Sequence, residues 1–377
     1  MNRFLENQVQ SDCCGCSACV EVCPESCLTI GKNDDGIIVP IISNKDACID
    51  CGQCSKVCPV ENKITANDSN KYYGAYSDIP EDINFSASGG IFPALARWVI
   101  EQGGVVYGAY LDGEHDLYHT KITEAKDIKK LQNSKYFQSE IRTAYKTCQA
   151  DLQEGRLVLF TGTPCQVKGL KLFLQKDFEN LLTADLICHG VPSKKMFDAY
   201  VAFLEKKHGG KLVDINFRDK ERNGWSTTLR YTMEYPDGKR EDYHLISQLS
   251  EYFTAFLRGA IARESCYTCQ FASMNRPGDI TLGDFWGYQK KRPDLRHDQG
   301  LSLIISNSAK GEKAIHELRN HGVCLTEVDE ECVKVSGNRN LYFPLQRPEI
   351  RDRVYVELEQ FGFEYIASMY FRKAHTW

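Results

Sequence analysis

The strongest constraint on this chain is a cysteine pattern near its N-terminus that is written twice. Cys13, Cys16, Cys19 and Cys23 are followed by Pro24, and Cys48, Cys51, Cys54 and Cys58 are followed by Pro59. The pattern C-x2-C-x2-C-x3-C-P is the ligand spacing of a bacterial-type site for two 4Fe–4S clusters. Three closely spaced thiolates wrap one cubane, and the fourth, just before proline, reaches to the other. The rule assigns Cys13, Cys16, Cys19 and Cys58 to one cluster, and Cys48, Cys51, Cys54 and Cys23 to the second. A zinc ribbon rarely draws three ligands from so short a span, and a disulfide knot needs an oxidising compartment. The opening stretch, MNRFLENQVQ, lacks the apolar core of a secretory signal, so the 17 cysteines imply a reducing, cytoplasmic setting. Cys14 and Cys27 fall off the ligand pattern and read as small packed side chains.

The polar run from Glu61 to Lys71 reads as a linker. A small α+β domain of bacterial-ferredoxin type is therefore expected over residues 1–65, with a larger domain over 66–377. At 377 residues, 42% of them hydrophobic and 26% charged, the chain can bury a sizeable core. A net charge of −5 gives no electrostatic case for a nucleic-acid partner. Nowhere do 18 apolar residues run together, so no membrane span is expected.

Within the first region, Gly36 to Pro40 reads as a short strand ending at the proline. Beyond the linker, helical and strand patterns alternate. A helix is expected over Ile91 to Glu101, with Pro93 in its first turn, followed by a buried strand over Val105 to Tyr110. A helix from Ser139 to Gly155 precedes a strand over Leu157 to Phe160 and a helix from Cys165 to about Gln175. The strand Asp185 to Cys188 breaks at His189-Gly190 before a helix near Ser193 to Lys207. This alternation predicts an α/β core, mixed with α+β features further on. Pro236-Asp237-Gly238 joins a hairpin of Thr227–Tyr235 and Lys239–His244. A helix over about Ser247 to Arg263, a strand at Leu301 to Ile305 and a helical, core-packing segment from Ile350 to Arg372 complete the pattern.

Seven cysteines lie beyond the linker. Cys165 follows one core strand and Cys188 ends the next, and the carboxyl ends of such strands share the edge where α/β folds bind ligands. Cys266 and Cys269 add two thiols at chelating spacing. Together the four would complete a shell for a third 4Fe–4S cluster; a structural zinc site and unligated core cysteines are the alternatives. Cys148, Cys324 and Cys332 read as packed side chains. Neither a dinucleotide fingerprint nor a P-loop is present. Two loop-to-helix junctions, Ser88-Gly89-Gly90 and Thr161-Gly162-Thr163, could offer backbone N–H groups to a phosphate. The stretch Asn133 to Ser139 adds an ammonium, an aromatic face and short polar groups suited to a flavin.

Taken in order, SGGIFPALARWVIEQG, NSKYFQSE, FTGTPCQVKGL, ICHGVPS and SCYTCQFASMNRPGDITLGDFWG resemble the family of coenzyme F-420 hydrogenase/dehydrogenase beta subunits. The resemblance covers roughly residues 72 to 290, with the ferredoxin-type module ahead of it. It implies FAD beside a 4Fe–4S cluster held by Cys165, Cys188, Cys266 and Cys269. It also implies flavin contacts at Ser88, Gly89, Gly90, Lys135, Tyr136, Gln138, Ser139 and Thr163. The expected protein is an iron–sulfur flavoprotein oxidoreductase with three clusters. Single electrons would pass through the clusters to a flavin that exchanges hydride with a small-molecule substrate, coenzyme F-420 or another. A redox partner, either a ferredoxin or a partner subunit, would complete the circuit. His189, Lys168 and Asp284 are candidate proton donors or substrate contacts, and His189 is equally a support for its neighbour Cys188. The alternatives are an electron-transfer subunit whose substrate site lies on a partner, and a non-enzymatic iron–sulfur protein.

Overall fold

The computed structural model describes residues 10–63, 70–295 and 297–372. The expected boundary at 65/66 and most of the opening stretch lie outside the described residues. In the N-terminal region each cysteine triplet leads into a short helix, α1 (Ala18–Val22) and α2 (Gln53–Lys56). Strands β1 (Leu28–Lys32) and β2 (Ile38–Ile42) pair antiparallel between them. The strand expected to stop at Pro40 instead runs on to Ile42, with Pro40 opposite Ile30. A two-stranded sheet has only edges, so a proline nitrogen can face away from the ladder.

The larger region is built on an eight-stranded mixed sheet and a three-stranded antiparallel one. In chain order the strands are β3 (Lys71–Ser77), β4 (Val105–Leu111), β5 (Leu117–Ile122), β6 (Val158–Gly162) and β7 (Leu181–Leu186). They continue with β8 (Lys211–Asp219), β9 (Thr228–Glu234), β10 (Arg240–Ile246), β11 (Ile280–Asp284), β12 (Ser302–Ser306) and β13 (Val323–Val328). The large sheet runs β13-β3-β12-β11-β7-β6-β4-β5, and β8, β9 and β10 form the small one. The four central strands β4, β6, β7 and β11 are parallel, and the pairings outside them are antiparallel.

Parallel central strands are buried on both faces, which is why Val105-Val106-Tyr107 and Val158-Leu159-Phe160 read as unbroken apolar runs. Helix α3 (Ile91–Glu101) packs Ile91, Ala94, Leu95 and Val99 against one face. Helices α4 (Ala144–Gln153) and α5 (Pro164–Leu174) cover the other through Tyr145, Leu152, Val167 and Leu170. A further core joins α6 (Lys194–His208), β8, β9, α7 (Glu251–Leu257) and α8 (Arg351–Phe361). The C-terminal stripe is thus core packing, with Val354, Tyr355 and Leu358 buried. The helical segment breaks at Gly362, whose φ is 80°.

Three elements depart from the sequence expectation for identifiable reasons. The helix expected from Ser139 starts at Ala144. Glu140 is held by β5 instead: its N–H donates to the Leu117 carbonyl (2.9 Å), and its carbonyl accepts from the His119 N–H (2.8 Å). The helix expected over 247–263 contracts to α7, because Ser250 caps it by accepting from the Phe253 N–H (3.2 Å) and Gly259 turns left-handed (φ 68°) just beyond its end. Strand β7 begins at Leu181 and leaves Cys188 in the following loop. Strand β3 starts at Lys71, inside the run that reads as a linker; β5, β11 and β13 are not marked by the sequence pattern.

Candidate functional site

The carboxyl ends of β6, β7 and β11 converge on one edge of the large sheet, and the loops that follow them carry the candidate residues. After β6, Thr163 caps α5 in a capping box: its N–H donates to the Gln166 side chain (3.1 Å). Gln166 in turn donates to the Ser139 carbonyl (3.0 Å), which fixes the Asn133–Ser139 stretch against the start of α5. The Thr163 hydroxyl lies 3.1 Å from the Cys165 thiol.

The N-terminal cysteines gather in two groups. Burial raises the Cys19 thiol well above its ordinary pKa, and the Cys13 and Cys58 thiols beside it add to the effect. Cys58 in turn feels burial and Cys13, so the first triplet meets the fourth cysteine of the second motif. Cys23, Cys48, Cys51 and Cys54 line a separate small cavity. Cys27 shares this cavity, its sulfur 3.2 Å from that of Cys23. The Cys14 thiol lies beside those of both Cys16 and Cys165. The two cysteines that the pattern leaves over are therefore packed against candidate ligand thiols, a placement that spacing does not reveal.

Cys165, Cys188, Cys266 and Cys269 come together from the first turn of α5, the loop after β7 and the turn over 264–269. Burial pushes Cys188 up to about 12, with Cys165 and Cys269 adding to it. It raises Cys269 to about 11, with Cys165 adding. Cys266 is raised well above its ordinary value by burial, with Cys188 and Cys269 adding. Four clustered, half-buried and mutually repelling thiols deprotonate readily only around a cation, so the donor set fits a metal or cluster.

Cys165 and Cys188 also form part of the wall of a cavity of about 330 Å³. It lies between the sheet edge, the 86–92 stretch and α7, in the size range of small-molecule sites. Ser88, Gly90, Lys135, Tyr136, Gln138, Ser139, Thr163, His189 and Asp284 line it. Gly90 is the N-cap of α3 with φ 81°, and no side chain caps that helix. The N-terminal N–H groups of an eleven-residue helix are thus open beside the cavity, an arrangement that suits a phosphate. Phe253, Phe256, Leu257 and Leu282 supply apolar wall, so the residues present fit a flavin nucleotide.

Other candidates sit differently. Gly89 lies behind the lining, where its N–H donates to the Ser302 hydroxyl (2.9 Å) and a Cβ would fall 2.4 Å from the Ala75 carbonyl oxygen. Lys135 donates to the carbonyls of Ala109 (3.0 Å), Leu131 (3.1 Å) and Gln132 (2.6 Å). Burial draws its pKa down to about 7, while the three carbonyls favour the ammonium. Lys168 is half-buried on α5 and does not line the cavity. His189 is exposed on the cavity lining; the loss of solvation there lowers its pKa below the usual value, with Asp284 opposing. Asp284 is engaged by a bidentate ion pair with Arg218 (2.7 and 3.1 Å) and by the Trp225 indole N–H (2.8 Å). That pairing with Arg218, against burial, keeps it ionised.

Several residues of the site are not signalled by any motif. Arg218 donates to the Ala87 carbonyl (3.0 Å), and Lys220 to those of Ile83 (2.7 Å) and Ser88 (2.6 Å). The small sheet, whose first strand ends at Asp219, thereby pins the stretch that leads into α3. Trp286 stacks on Trp225 at 4.0 Å. His119 is buried; its Nδ1 faces the Ser139 hydroxyl (2.7 Å) and its Nε2 the Thr161 carbonyl (3.0 Å). A carbonyl can only accept, so Nε2 carries the proton and Nδ1 accepts from Ser139. The signal that could have found Arg218 and Lys220 is charge at the end of a strand and just beyond it.

Comparison with known proteins matches residues 155–331 to the C-terminal region of the coenzyme F-420 hydrogenase/dehydrogenase beta subunit, and residues 12–63 to a 4Fe–4S dicluster domain. A coenzyme F-420-dependent sulfite reductase of Methanocaldococcus jannaschii is 29% identical over 355 residues, covering 88% of this chain and 49% of its own length. One subunit of the F(420)H(2) dehydrogenase of Methanosarcina mazei is 23% identical over 223 residues, covering 55% of this chain and 63% of its own length. The chain thus spans about half the length of the first of these relatives and under two thirds of the second. A chain of the F-420-reducing [NiFe] hydrogenase complex from Methanosarcina barkeri is 15% identical, with a TM-score of 0.45 over 80% of this chain and 95% of that one. Among the described residues, no helix is long and apolar enough to cross a membrane. With four cysteines gathered beside a cavity at the sheet edge and two ferredoxin-type motifs docked against it, residues 155–331 of this chain match the C-terminal region of the coenzyme F-420 hydrogenase/dehydrogenase beta subunit family, behind an N-terminal 4Fe–4S dicluster domain.

Proposed function

We propose that this protein is an iron–sulfur flavoprotein oxidoreductase, in which a chain of three 4Fe–4S clusters meets FAD in the cavity at the sheet edge. One observation carries the reading. Cys165 and Cys188 belong both to the third thiol set and to the cavity wall, while Cys14 of the first motif touches Cys165. A zinc ion at that set would not explain why the ferredoxin-type loop is docked directly upon it. Cys13, Cys16, Cys19 and Cys58 would hold the first cluster, Cys48, Cys51, Cys54 and Cys23 the second, and Cys165, Cys188, Cys266 and Cys269 the third. When bound, the clusters supply one-electron transfer, and a flavin supplies the exchange of two electrons as hydride.

The chain's own residues bind and orient. The open N-terminus of α3, with Ser88 and Gly90, offers donors to the diphosphate. Gln138, Ser139 and Thr163 face the cavity between that helix and Cys165. Arg218 and Asp284 neutralise one another and hold the far wall. His189 lines the cavity with neither an ion pair nor a carboxylate hydrogen bond among the described residues, which leaves it free to contact a substrate or relay a proton.

The substrate would be a small molecule that exchanges hydride, coenzyme F-420 or another. The partial coverage of the relatives, one of which is named as a subunit, supports a partner that supplies or takes the electrons. Anaerobically purified protein is expected to show flavin absorbance and about twelve irons per chain. Iron near eight with no flavin would instead indicate an electron carrier without a flavin site. Turnover against reduced deazaflavin, reduced ferredoxin and NADH then identifies the substrate and donor.

A further inference from the structure

Among the described residues four arginines are almost wholly buried, and three of them have a carboxylate partner. Arg218 pairs with Asp284 (2.7 Å), Arg276 with Asp185 (2.7 Å) and Arg351 with Asp35 (2.8 Å). Arg263, 2% exposed, has no ion pair among the described residues. Its guanidinium donates to the Gln138 side-chain oxygen (2.5 Å) and to the Ile38 carbonyl (2.9 Å), both neutral acceptors. A buried charge without an opposite charge is too costly to keep, so a counter-anion should stand near it.

The surroundings point to that anion. The Arg263 N–H donates to the Val191 carbonyl (3.0 Å), and its carbonyl accepts from the Cys266 N–H (3.0 Å). Arg263 thus bridges the loop after Cys188 and the turn that presents Cys266. On its other side it lies against the first cysteine triplet: a Cβ on Gly15, whose φ is 66°, would fall 2.2 Å from a guanidinium nitrogen. Gln138 extends the bridge by donating to the carbonyls of Cys14 (3.3 Å) and Gly15 (3.1 Å). Burial raises the Cys266 thiol, and the neighbouring Cys14 sulfur, toward which Cys165 donates, raises that of Cys165 together with burial; the Arg263 charge opposes the rise at both.

We propose that Arg263 is the fixed counter-cation of the third cluster, a positioning residue that raises its reduction potential and makes it the favoured acceptor for electrons from the ferredoxin-type region. The inference rests on Cys165, Cys188, Cys266 and Cys269 holding a cluster. When one electron arrives from a reduced cluster of the N-terminal region, the donor loses one negative charge and the acceptor, already anionic through its thiolates, gains one. No proton or bond moves, and Arg263 keeps its charge throughout. A permanent cation held at the anion by a rigid bridge favours the more negative state. Gln138 and Gly15 keep it between the two sites rather than in solvent.

The test compares wild type, Arg263→Gln, Arg263→Lys and Cys188→Ser, all as full-length anaerobic protein, by iron content and electron paramagnetic resonance during a redox titration. The third cluster is the signal, worth about four irons, that Cys188→Ser removes. Arg263→Gln is expected to lower the reduced-to-oxidised ratio of that signal about tenfold at the wild-type midpoint, equal to about 59 mV for one electron. The other two signals should shift less, and Arg263→Lys should restore most of the wild-type value. If Arg263→Gln loses the signal while Arg263→Lys keeps it, charge is again the requirement. An unchanged midpoint in Arg263→Gln, or equal damage in Gln and Lys variants, overturns the counter-cation role. Unchanged iron in Cys188→Ser overturns the cluster itself, and this inference with it.

Discussion

At the scale of single residues, His119 shows how burial turns a titratable group into a conditional brace. Its ring is buried between Ser139 and the Thr161 carbonyl, and burial draws its pKa from 6.5 down to about 4. Between those values the unfolded chain takes up a proton that the folded chain refuses, so stability falls as pH drops through this window. At about 1.4 kcal/mol per unit the complete loss is roughly 3 kcal/mol, of which about 1 kcal/mol falls between pH 6.5 and 5.5. Urea unfolding of wild type and His119→Gln at those two pH values should show the larger loss in wild type. Parallel losses would mean that the ring is not the group responsible. Cysteine chemistry is similarly divided. The eight ferredoxin-type cysteines are legible because their ligands are close in sequence, whereas Cys14 and Cys27 reveal their contacts with Cys165 and Cys23 only once the chain is folded. The iron content of Cys165→Ser, expected to fall by about four, checks the assignment of the distant set.

At the scale of elements, the α5 helix carries the contact that seats the first cluster loop. Gly169 faces α1, and an added Cβ would stand 2.8 Å from the Tyr145 hydroxyl and 3.1 Å from the Cys16 sulfur. Neither neighbour can move freely, since Tyr145 is fully buried and donates to the Gln166 carbonyl (2.8 Å). Replacing glycine by alanine inside a helix ordinarily stabilises by about 1 kcal/mol, whereas overpacking costs about 1–3 kcal/mol. The clash should therefore win in Gly169→Ala, giving a net destabilisation and faster loss of iron to a chelator. A more stable variant with unchanged release would show that the α1–α5 contact has slack. The same scale explains the failed expectations. Glu140 is drawn into pairing with β5, so the helix starts late. β11 is short and pairs on one side with β7, far back in the chain, so no local alternation announces it.

At the scale of the whole molecule, the N-terminal region behaves as part of the core. Cys16, Ala18 and Val57 share one buried cluster with Tyr145, Val167 and Phe173. Gln138, Ser265 and Gln270 reach from the larger region to the carbonyls of Gly15 (3.1 Å), Cys13 (3.0 Å) and Pro59 (2.6 Å). An interface so thoroughly bonded should couple the two parts, so calorimetry of the loaded protein is expected to give one transition coincident with loss of cluster absorbance. Two separated transitions would show that the parts fold independently. The chain's order of residues determined what is local: the two ferredoxin-type motifs, the buried parallel strands at Val105–Tyr107 and Val158–Phe160, and the helices whose caps lie beside their apolar stripes. Only the tertiary structure decided which loops meet. Cys165, Cys188, Cys266 and Cys269, the Arg218–Asp284 pair and Arg263 depend on strand order within the sheet, which is set by burial among residues far apart in the chain.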